Sequence, residues 1–321
     1  MHPAPSIIAF TTASGAGYGL LFLLAMTAPA GLLPTRRWFE LAALALALGL
    51  ITFGLIASLF HLGHPERAWR ALSQWRSSWL SREGLMALLT YAPALVFGAG
   101  WVFAEATTGF FTLSALLAAI GAALTVYCTS MIYASLEPVR EWHQPLVPVI
   151  YLAFALMTGA LLLHFLLASF GAPRAWTGIL AMVATAFAFG LKAVYWRTIA
   201  RAKPGPTPES ATGLGALGEV RMLDPPHTQT NYLLSEMGFR IARQHAAKLR
   251  LHAWLLGFAG ASLSTVLALL ATGAPAVVLA LLAVLSGLAG VLIERWLFFA
   301  EATHTVTLYY GRRDSRSARS R

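Results

Sequence analysis

The residues that could carry proton chemistry concentrate in one connection of this chain. The stretch from His61 to Glu83 reads "HLGHPERAWRALSQWRSSWLSRE" and holds two histidines, two glutamates, four arginines and three tryptophans. Imidazole and carboxylate groups can donate, accept and relay protons, and guanidinium groups attract anions or pair with acidic groups. Which of these roles the stretch has depends on the elements that flank it.

Further polar residues interrupt the apolar runs toward the same end of the molecule. They are Tyr127, Cys128, Tyr133, Lys192, Glu294 and Arg295. Lys192 and Arg295 have long side chains that can reach an interface, and this is the simpler interpretation of both. A carboxylate as far inside a run as Glu294 is costly unless it is paired, and we expect the adjacent Arg295 to point to a different face of the helix. These residues together predict a pocket at this end.

Composition identifies the elements that must position these residues. The chain is 58% hydrophobic and only 11% charged, whereas about a quarter of the residues in a soluble domain are charged. A helix needs about 20 apolar residues to cross the hydrocarbon core. Such runs occupy 7–29, 39–61, 84–104, 112–134, 145–169, 175–197, 251–272 and 276–299. We therefore predict an all-α polytopic membrane protein with eight transmembrane helices, forming one membrane domain over 1–321.

The distribution of Lys and Arg predicts the orientation. Eighteen of the 23 Lys and Arg residues fall on the side that holds the N-terminus, and three fall on the other side. Because positively charged connections stay in the cytoplasm, both termini are predicted to be cytoplasmic. The net charge of +10 then reflects topology, so we predict membrane lipid or an acidic partner and no nucleic acid.

The longest connection, 198–250, is predicted to be a cytoplasmic insert. It begins with a segment rich in Pro and Gly, "RTIARAKPGPTPESATGLGALG" from 197, which is too polar to span a membrane. After "DPPH", Thr230 could cap a helix whose apolar positions recur at helical spacing and whose basic residues come late. This pattern predicts a surface helix, either an interfacial brace or a docking platform for a partner.

Cysteine and histidine positions limit the cofactors that the protein can hold. Cys128 is the only cysteine, so an iron–sulfur cluster with its four thiolates is excluded, and Cys/His zinc spacings are absent. His61 and His164 end their runs on opposite sides and cannot share one haem. His304 falls on the side of His61, which leaves a shallow haem as a minor alternative. We predict no metal site and no haem.

Several motifs resemble the anchor subunits of dimethyl-sulfoxide-reductase-type molybdoenzymes. They are "HPAPSIIAFTTASGAGYG" at 2–19, "SLFHLGHPERAWRAL" at 58–72, "RSSWLSRE" at 76–83, "MIYASLEPVREWHQPLVP" at 131–148 and "MLDPPHTQTNYLLSEMGFRIARQHAAKLR" at 222–250. The resemblance covers nearly the whole chain and is nearest to the branch that serves cytoplasmic sulfite dehydrogenases. It implies a haem-free anchor in a bacterial inner membrane, with one site for ubiquinone or menaquinone. It also implies a ferredoxin-like iron–sulfur subunit with four clusters and a molybdopterin catalytic subunit as partners.

The resemblance also assigns roles to the residues of the opening stretch. In the family, the histidine of the "HLG" motif and the acidic residue of the "S-x-E" element are associated with quinol binding, and they match His61 and Glu83. On this basis the predicted quinone-binding residues are His61, Arg67, Glu83, Tyr127 and Tyr133. The predicted partner-docking residues are Arg70, Arg76, Arg82, Arg240 and Arg243.

Three functions follow as alternatives. The first is an anchor that passes electrons from sulfite oxidation to quinone, which the cytoplasmic orientation favours. The second is a menaquinol-oxidising anchor of a respiratory reductase, and the third is a structural anchor without its own quinone site. A transporter is disfavoured because neither an internal repeat nor a central ionisable cluster is apparent.

Overall fold

The computed structural model describes residues 4–60, 62–202, 205–221, 223–224 and 241–310, without the side chains of 241–244 and 309–310. Within these residues, eight helices are long and apolar enough to cross a membrane, which confirms the predicted fold class. They are α1 (Pro5–Thr27), α2 (Arg37–Leu59), α3 (Trp79–Phe103), α4 (Phe110–Ala134), α5 (Leu146–Ser169), α6 (Ala175–Arg201), α7 and α8 (Ala274–Ala300). Helix α7 is continuous through Ile241–Ala253, a π-helical stretch Trp254–Gly260 and Ala261–Leu270.

The connections contain only short elements in the described residues. These are 3-10 helices at Pro65–Gln74, Leu214–Leu217 and Thr305–Tyr310 and an α-helix at Pro208–Thr212. One isolated β-bridge joins Val139 to His304. Most of the predicted surface helix after Thr230 lies outside the described residues. From Ile241 the chain is already part of α7, ten residues before the predicted start of that span.

Helix α3 also begins earlier than predicted. It starts at Trp79, and the Ser78 hydroxyl caps it by accepting the Ser81 backbone N–H at 3.4 Å. The first turns of α3 contain polar residues, so a hydropathy pattern misses them. Glu83 is therefore a helical residue near the start of α3 rather than the last residue of the connection.

Helices α1 and α5 form the centre of the bundle, because 72% of the most apolar window of each is buried, more than in any other described span. They touch at a pair of glycines. A Cβ atom on Gly19 would lie 1.8 Å from the Ala155 carbonyl oxygen, and one on Gly159 would lie 2.3 Å from the Gly19 carbonyl carbon. Small residues allow this approach, which supports packing where no hydrophobic effect drives helices together.

Contacts between helix ends show that α5 starts at the end of the bundle where α4, α6 and α8 finish. The start of α5 and the ends of α4 and α8 meet where the ring of Tyr133 packs against Tyr151 and Phe298. The end of α6 reaches the end of α8 through Lys192 and Glu294. We call this end of the bundle, at which α1 begins, the N-terminal end. The predicted site residues that the structure describes lie at this end.

Candidate functional site

Glu83 is a buried carboxylic acid at the N-terminal end. Its side chain is 4% exposed, and the Thr129 hydroxyl of α4 donates a hydrogen bond to its Oε1 atom. A buried carboxylate without such a bond would cost several kcal/mol. Thr129 therefore both fixes the position of the Glu83 side chain and offsets part of its burial.

The contacts of Thr129 suit both protonation states of Glu83. The same Thr129 hydroxyl oxygen lies 3.0 Å from the Thr125 carbonyl oxygen, one turn earlier in α4. A hydroxyl has one proton and two acceptor lone pairs. When Glu83 is ionised, Thr129 donates to it; when Glu83 is protonated, Thr129 can donate to Thr125 and accept from Glu83. The pair can thus exchange a proton without leaving a buried polar atom unsatisfied.

Three buried tyrosines lie near enough to Glu83 to interact with its charge. Tyr18 of α1, Tyr133 of α4 and Tyr151 of α5 each interact electrostatically with Glu83. Tyr133 stacks on Tyr151 with ring centroids 6.0 Å apart. Of the two tyrosines predicted for the site, Tyr133 is thus close to Glu83. Tyr127 is 37% exposed and its ring packs edge-on against Trp79 at 5.9 Å, on the outer surface of the bundle.

A small polar pocket lies between α1, α4, α5 and α8. Its walls include Thr12, Thr129, Tyr151, Thr158 and Arg295, and its volume is about 10 Å³, enough for about one water molecule. The Thr12 hydroxyl, the Tyr151 hydroxyl and the Nη1 atom of Arg295 are buried without a hydrogen-bond partner among the described residues. These groups are donors and acceptors for a polar ligand.

An apolar cavity of about 170 Å³ adjoins the polar pocket. It is lined by Tyr18, Gly19, Phe22, Ala122, Ala123, Val126, Leu152, Ala155 and Leu156. Val126 and Ala155 belong to the walls of both spaces. Tyr18 supplies the only polar side chain in the lining, so this cavity suits an apolar molecule with one polar contact.

The buried charges on α6 and α8 form an ion triad, which corrects two sequence-based expectations. Lys192 Nζ lies 2.5 Å from Glu294 Oε1, and Arg295 Nε lies 3.6 Å from Glu294 Oε2. All three side chains are at most 3% exposed, so Lys192 and Arg295 do not extend to the interface. Arg295 was expected on a different helix face from Glu294, yet its side chain turns back toward the carboxylate and covers the Tyr151 ring at 3.6 Å.

The arginines of the connection before α3 and of the first turn of α3 have two environments. Arg67 is exposed and pairs with Glu66 at 3.7 Å, while Arg70 and Arg76 lie over the rings of their neighbours Trp69 and Trp75. Arg82 instead donates hydrogen bonds to two backbone carbonyl oxygens, that of Trp75 at 2.9 Å and that of Arg76 at 2.7 Å. Arg82 therefore fastens the connection to α3, and the other three arginines present positive charge on the surface.

Three predicted site residues cannot be placed. His61 and Arg240 lie outside the described residues, and Arg243 belongs to α7 without a described side chain.

His164 is at the opposite end of the bundle, where its Nδ1 atom lies 2.9 Å from the Thr177 hydroxyl. His304 is at the N-terminal end; its Nδ1 accepts the Val306 N–H at 3.0 Å, and burial lowers the pKa of its imidazole. Among the described residues, no group of three His, Cys, Asp or Glu side chains could hold a metal ion.

Comparison with known proteins gives the family. The family model described as "DMSO reductase anchor subunit (DmsC)" matches residues 1–311. The chain belongs to this family. This anchor subunit is 34% identical over 327 residues to a sulfite dehydrogenase subunit of Allochromatium vinosum, with 97% of this chain and 99% of the relative covered. It is 30% identical over 125 residues to a polypeptide of the anaerobic dimethyl sulfoxide reductase of Escherichia coli, covering 38% of this chain and 42% of the relative.

No solved structure matches this anchor subunit. Family membership makes it a multi-pass membrane component of an oxidoreductase complex, with catalytic and electron-transfer partners. The structure adds residues to its candidate site that the sequence reasoning missed. These are Tyr18, Thr125, Thr129, Thr12 and Tyr151. Thr125 and Thr129 are one turn apart in α4, and this spacing of hydroxyls within an apolar run was a usable signal.

Proposed function

We propose that this anchor subunit exchanges electrons between membrane quinone and an iron–sulfur subunit of a molybdopterin oxidoreductase complex. We further propose that the electrons come from sulfite oxidation and pass to quinone. The relative named as a sulfite dehydrogenase subunit supports this direction, because the alignment covers almost all of both chains. The shorter match to a dimethyl sulfoxide reductase polypeptide favours the alternative, oxidation of menaquinol for a respiratory reductase.

The observation that carries the quinone site is the buried Glu83–Thr129 pair. Quinone reduction takes up two electrons and two protons, so its site needs a group that exchanges protons inside the membrane. Glu83 can hold or release a proton while Thr129 keeps its hydrogen bond in both states.

The residues beyond Thr129 also fit a quinone. The oxygens of this molecule accept hydrogen bonds, and the polar pocket offers two buried donors, the Tyr151 hydroxyl and the Nη1 atom of Arg295. Arg295 also brings positive charge toward the pocket, which would favour a reduced, more anionic ligand. His61, at the end of the apolar run before the connection, is proposed to exchange protons with Glu83 or with water.

The partners are proposed to dock at the N-terminal end from the cytoplasm. Arg67, Arg70 and Arg76 are exposed there and would attract an acidic surface. We propose a ferredoxin-like subunit with four iron–sulfur clusters at this surface, followed by a molybdopterin catalytic subunit. The membrane is proposed to be the bacterial inner membrane, with both termini of this protein in the cytoplasm and neither haem nor an iron–sulfur cluster bound by it.

The test uses the complete complex, purified with its partner subunits. His61→Ala should lower quinone-linked turnover by about a hundredfold, the scale of losing an acid/base group, while sulfite oxidation with an artificial electron carrier stays at the wild-type rate. His64→Ala is the control, because His64 is an exposed histidine three residues away. Normal quinone-linked turnover in both His61→Ala and Glu83→Gln would refute the proposed site. A stoichiometric Soret band would refute the absence of haem.

A further inference from the structure

The apolar cavity reaches the lipid-facing surface of the bundle. Four of its lining residues are half-buried, Phe22 on α1, Ala123 on α4, and Leu152 and Leu156 on α5. The other lining residues are buried. The half-buried residues therefore form a mouth toward the membrane interior, and the buried ones form a chamber behind it.

The size of the chamber suits one ring. Its volume is about 170 Å³, and an apolar protein cavity of about 150 Å³ is known to bind benzene. Glycine and alanine make up four of the nine lining residues, so the space exists because the side chains around it are small. A six-membered ring or one isoprene unit would fill it and regain the dispersion contacts that its walls lack.

The inner part of the chamber carries one polar group, the Tyr18 hydroxyl. Tyr18 is 2% exposed, lines the chamber and interacts electrostatically with Glu83. Val126 and Ala155 separate the chamber from the polar pocket and line both. A lipid acyl chain has no group that would use a buried phenol or a nearby carboxyl, whereas a quinone combines an apolar chain with hydrogen-bonding ring oxygens.

We propose that quinone reaches the site laterally from the bilayer through this cavity, with its ring against Tyr18 and its prenyl chain at the mouth. This inference rests on the proposed function and adds to it the route and the ring-contacting residue. Tyr18 acts as a binding residue that donates a hydrogen bond to a ring oxygen. Glu83 keeps the proton-exchange role proposed above.

The first test closes the mouth. Ala123→Phe places a ring at the opening, and Ala186→Phe places the same ring on the exposed face of α6 at a similar depth in the bundle. In the complete complex, Ala123→Phe should lower kcat/KM for a long-chain quinone at least tenfold, and Ala186→Phe should leave it unchanged. With an artificial electron carrier that reacts at the soluble subunits, the turnover of both variants should equal that of the wild type.

The second test asks what occupies the chamber. A photoreactive quinone should label the peptide that contains Leu152 and Leu156, and unlabelled quinone should compete with it. Tyr18→Phe should raise KM for quinone about fivefold to tenfold, the effect of losing one buried hydrogen bond. Labelling by a photoreactive phospholipid that quinone does not displace would overturn the proposal in favour of an acyl chain.

The outcomes separate this inference from the proposed function. Suppose that the wild-type complex turns over quinone and that Ala123→Phe and Ala186→Phe have the same kcat/KM for quinone. This result would overturn the lateral route and leave the quinone function standing. A wild-type complex that oxidises sulfite with an artificial carrier but never reduces quinone would overturn both.

Discussion

Glu294 pairs with two buried cations, and this arrangement makes a prediction about the order in which substitutions destabilise the bundle. With all three side chains ionised, the triad carries a net charge of +1. Lys192→Met removes one cation and leaves a neutral pair of Glu294 and Arg295. Glu294→Gln removes the only carboxylate of the triad and leaves two buried cations that repel each other.

The burial of the three side chains determines how much stability each substitution costs. Breaking a buried ion pair by removing one partner costs about 3–5 kcal/mol, because the remaining charge loses its compensation. We expect Lys192→Met near the lower end of this range, since Arg295 still neutralises Glu294 at 3.6 Å. Glu294→Gln should lie at the upper end. The double variant Lys192→Met/Glu294→Gln restores a net charge of +1 and should be more stable than Glu294→Gln alone.

Thermal unfolding of the detergent-solubilised protein measures this order of stability. The readout is the loss of the monodisperse chromatographic peak of a fluorescent fusion as the temperature rises. The Glu294→Gln loss corresponds to a fall in melting temperature on the order of 10 °C. Lys248→Met serves as the control, because Lys248 is an exposed lysine on α7. A larger loss for Lys192→Met than for Glu294→Gln would show that charge balance does not govern the stability of the triad.

Three further predictions concern the site, the helix packing and the topology. Glu83→Gln should lower quinone-linked turnover about a hundredfold and Thr129→Val about tenfold, while activity with the artificial carrier stays unchanged. Equal quinone-linked turnover in the wild type and both variants would contradict the role of the Glu83–Thr129 pair. Gly19→Ala should cost about 1–3 kcal/mol of stability, because the added Cβ atom meets the backbone of α5. Gly15→Ala should not destabilise the protein, because a Cβ atom at this position has no neighbouring atom within 4 Å. Similar melting temperatures for the two variants would refute the close contact. Alkaline phosphatase fused to the C-terminus should be inactive, and activity would place that end in the periplasm.

Apolar run length was sufficient to predict the eight spans, because the bilayer fixes the number of residues that a helix needs. It was insufficient at the polar first turns of α3. Ser78 caps this helix, and the apolar pattern starts only after Arg82 and Glu83. A side chain that was expected in a connection thus became part of the helical bundle, next to Thr129 of α4.

The partners of the buried charges could not be predicted from a single sequence. Lys192 and Glu294 are about a hundred residues apart, and their pairing depends on how α6 and α8 are rotated toward each other. The contact between neighbouring Glu294 and Arg295 depends on the bend of a long side chain rather than on helix periodicity. Glu83 and His61 were selected through family motifs, and the hydroxyl spacing of Thr125 and Thr129 was a further signal in the sequence. Tyr18, in contrast, required the three-dimensional contacts.

The Lys192–Glu294 pair also constrains the biogenesis of the membrane domain. Lys192 is synthesised about a hundred residues before its partner, an interval of roughly 5–20 s at ordinary rates of translation. During that time α6 carries an ammonium group without its carboxylate partner, which favours holding this helix end at the headgroup level. We predict that α6 settles at its final depth only after α8 brings Glu294 to Lys192. A polypeptide truncated before that residue would leave α6 incompletely inserted, which makes it a substrate for membrane quality control.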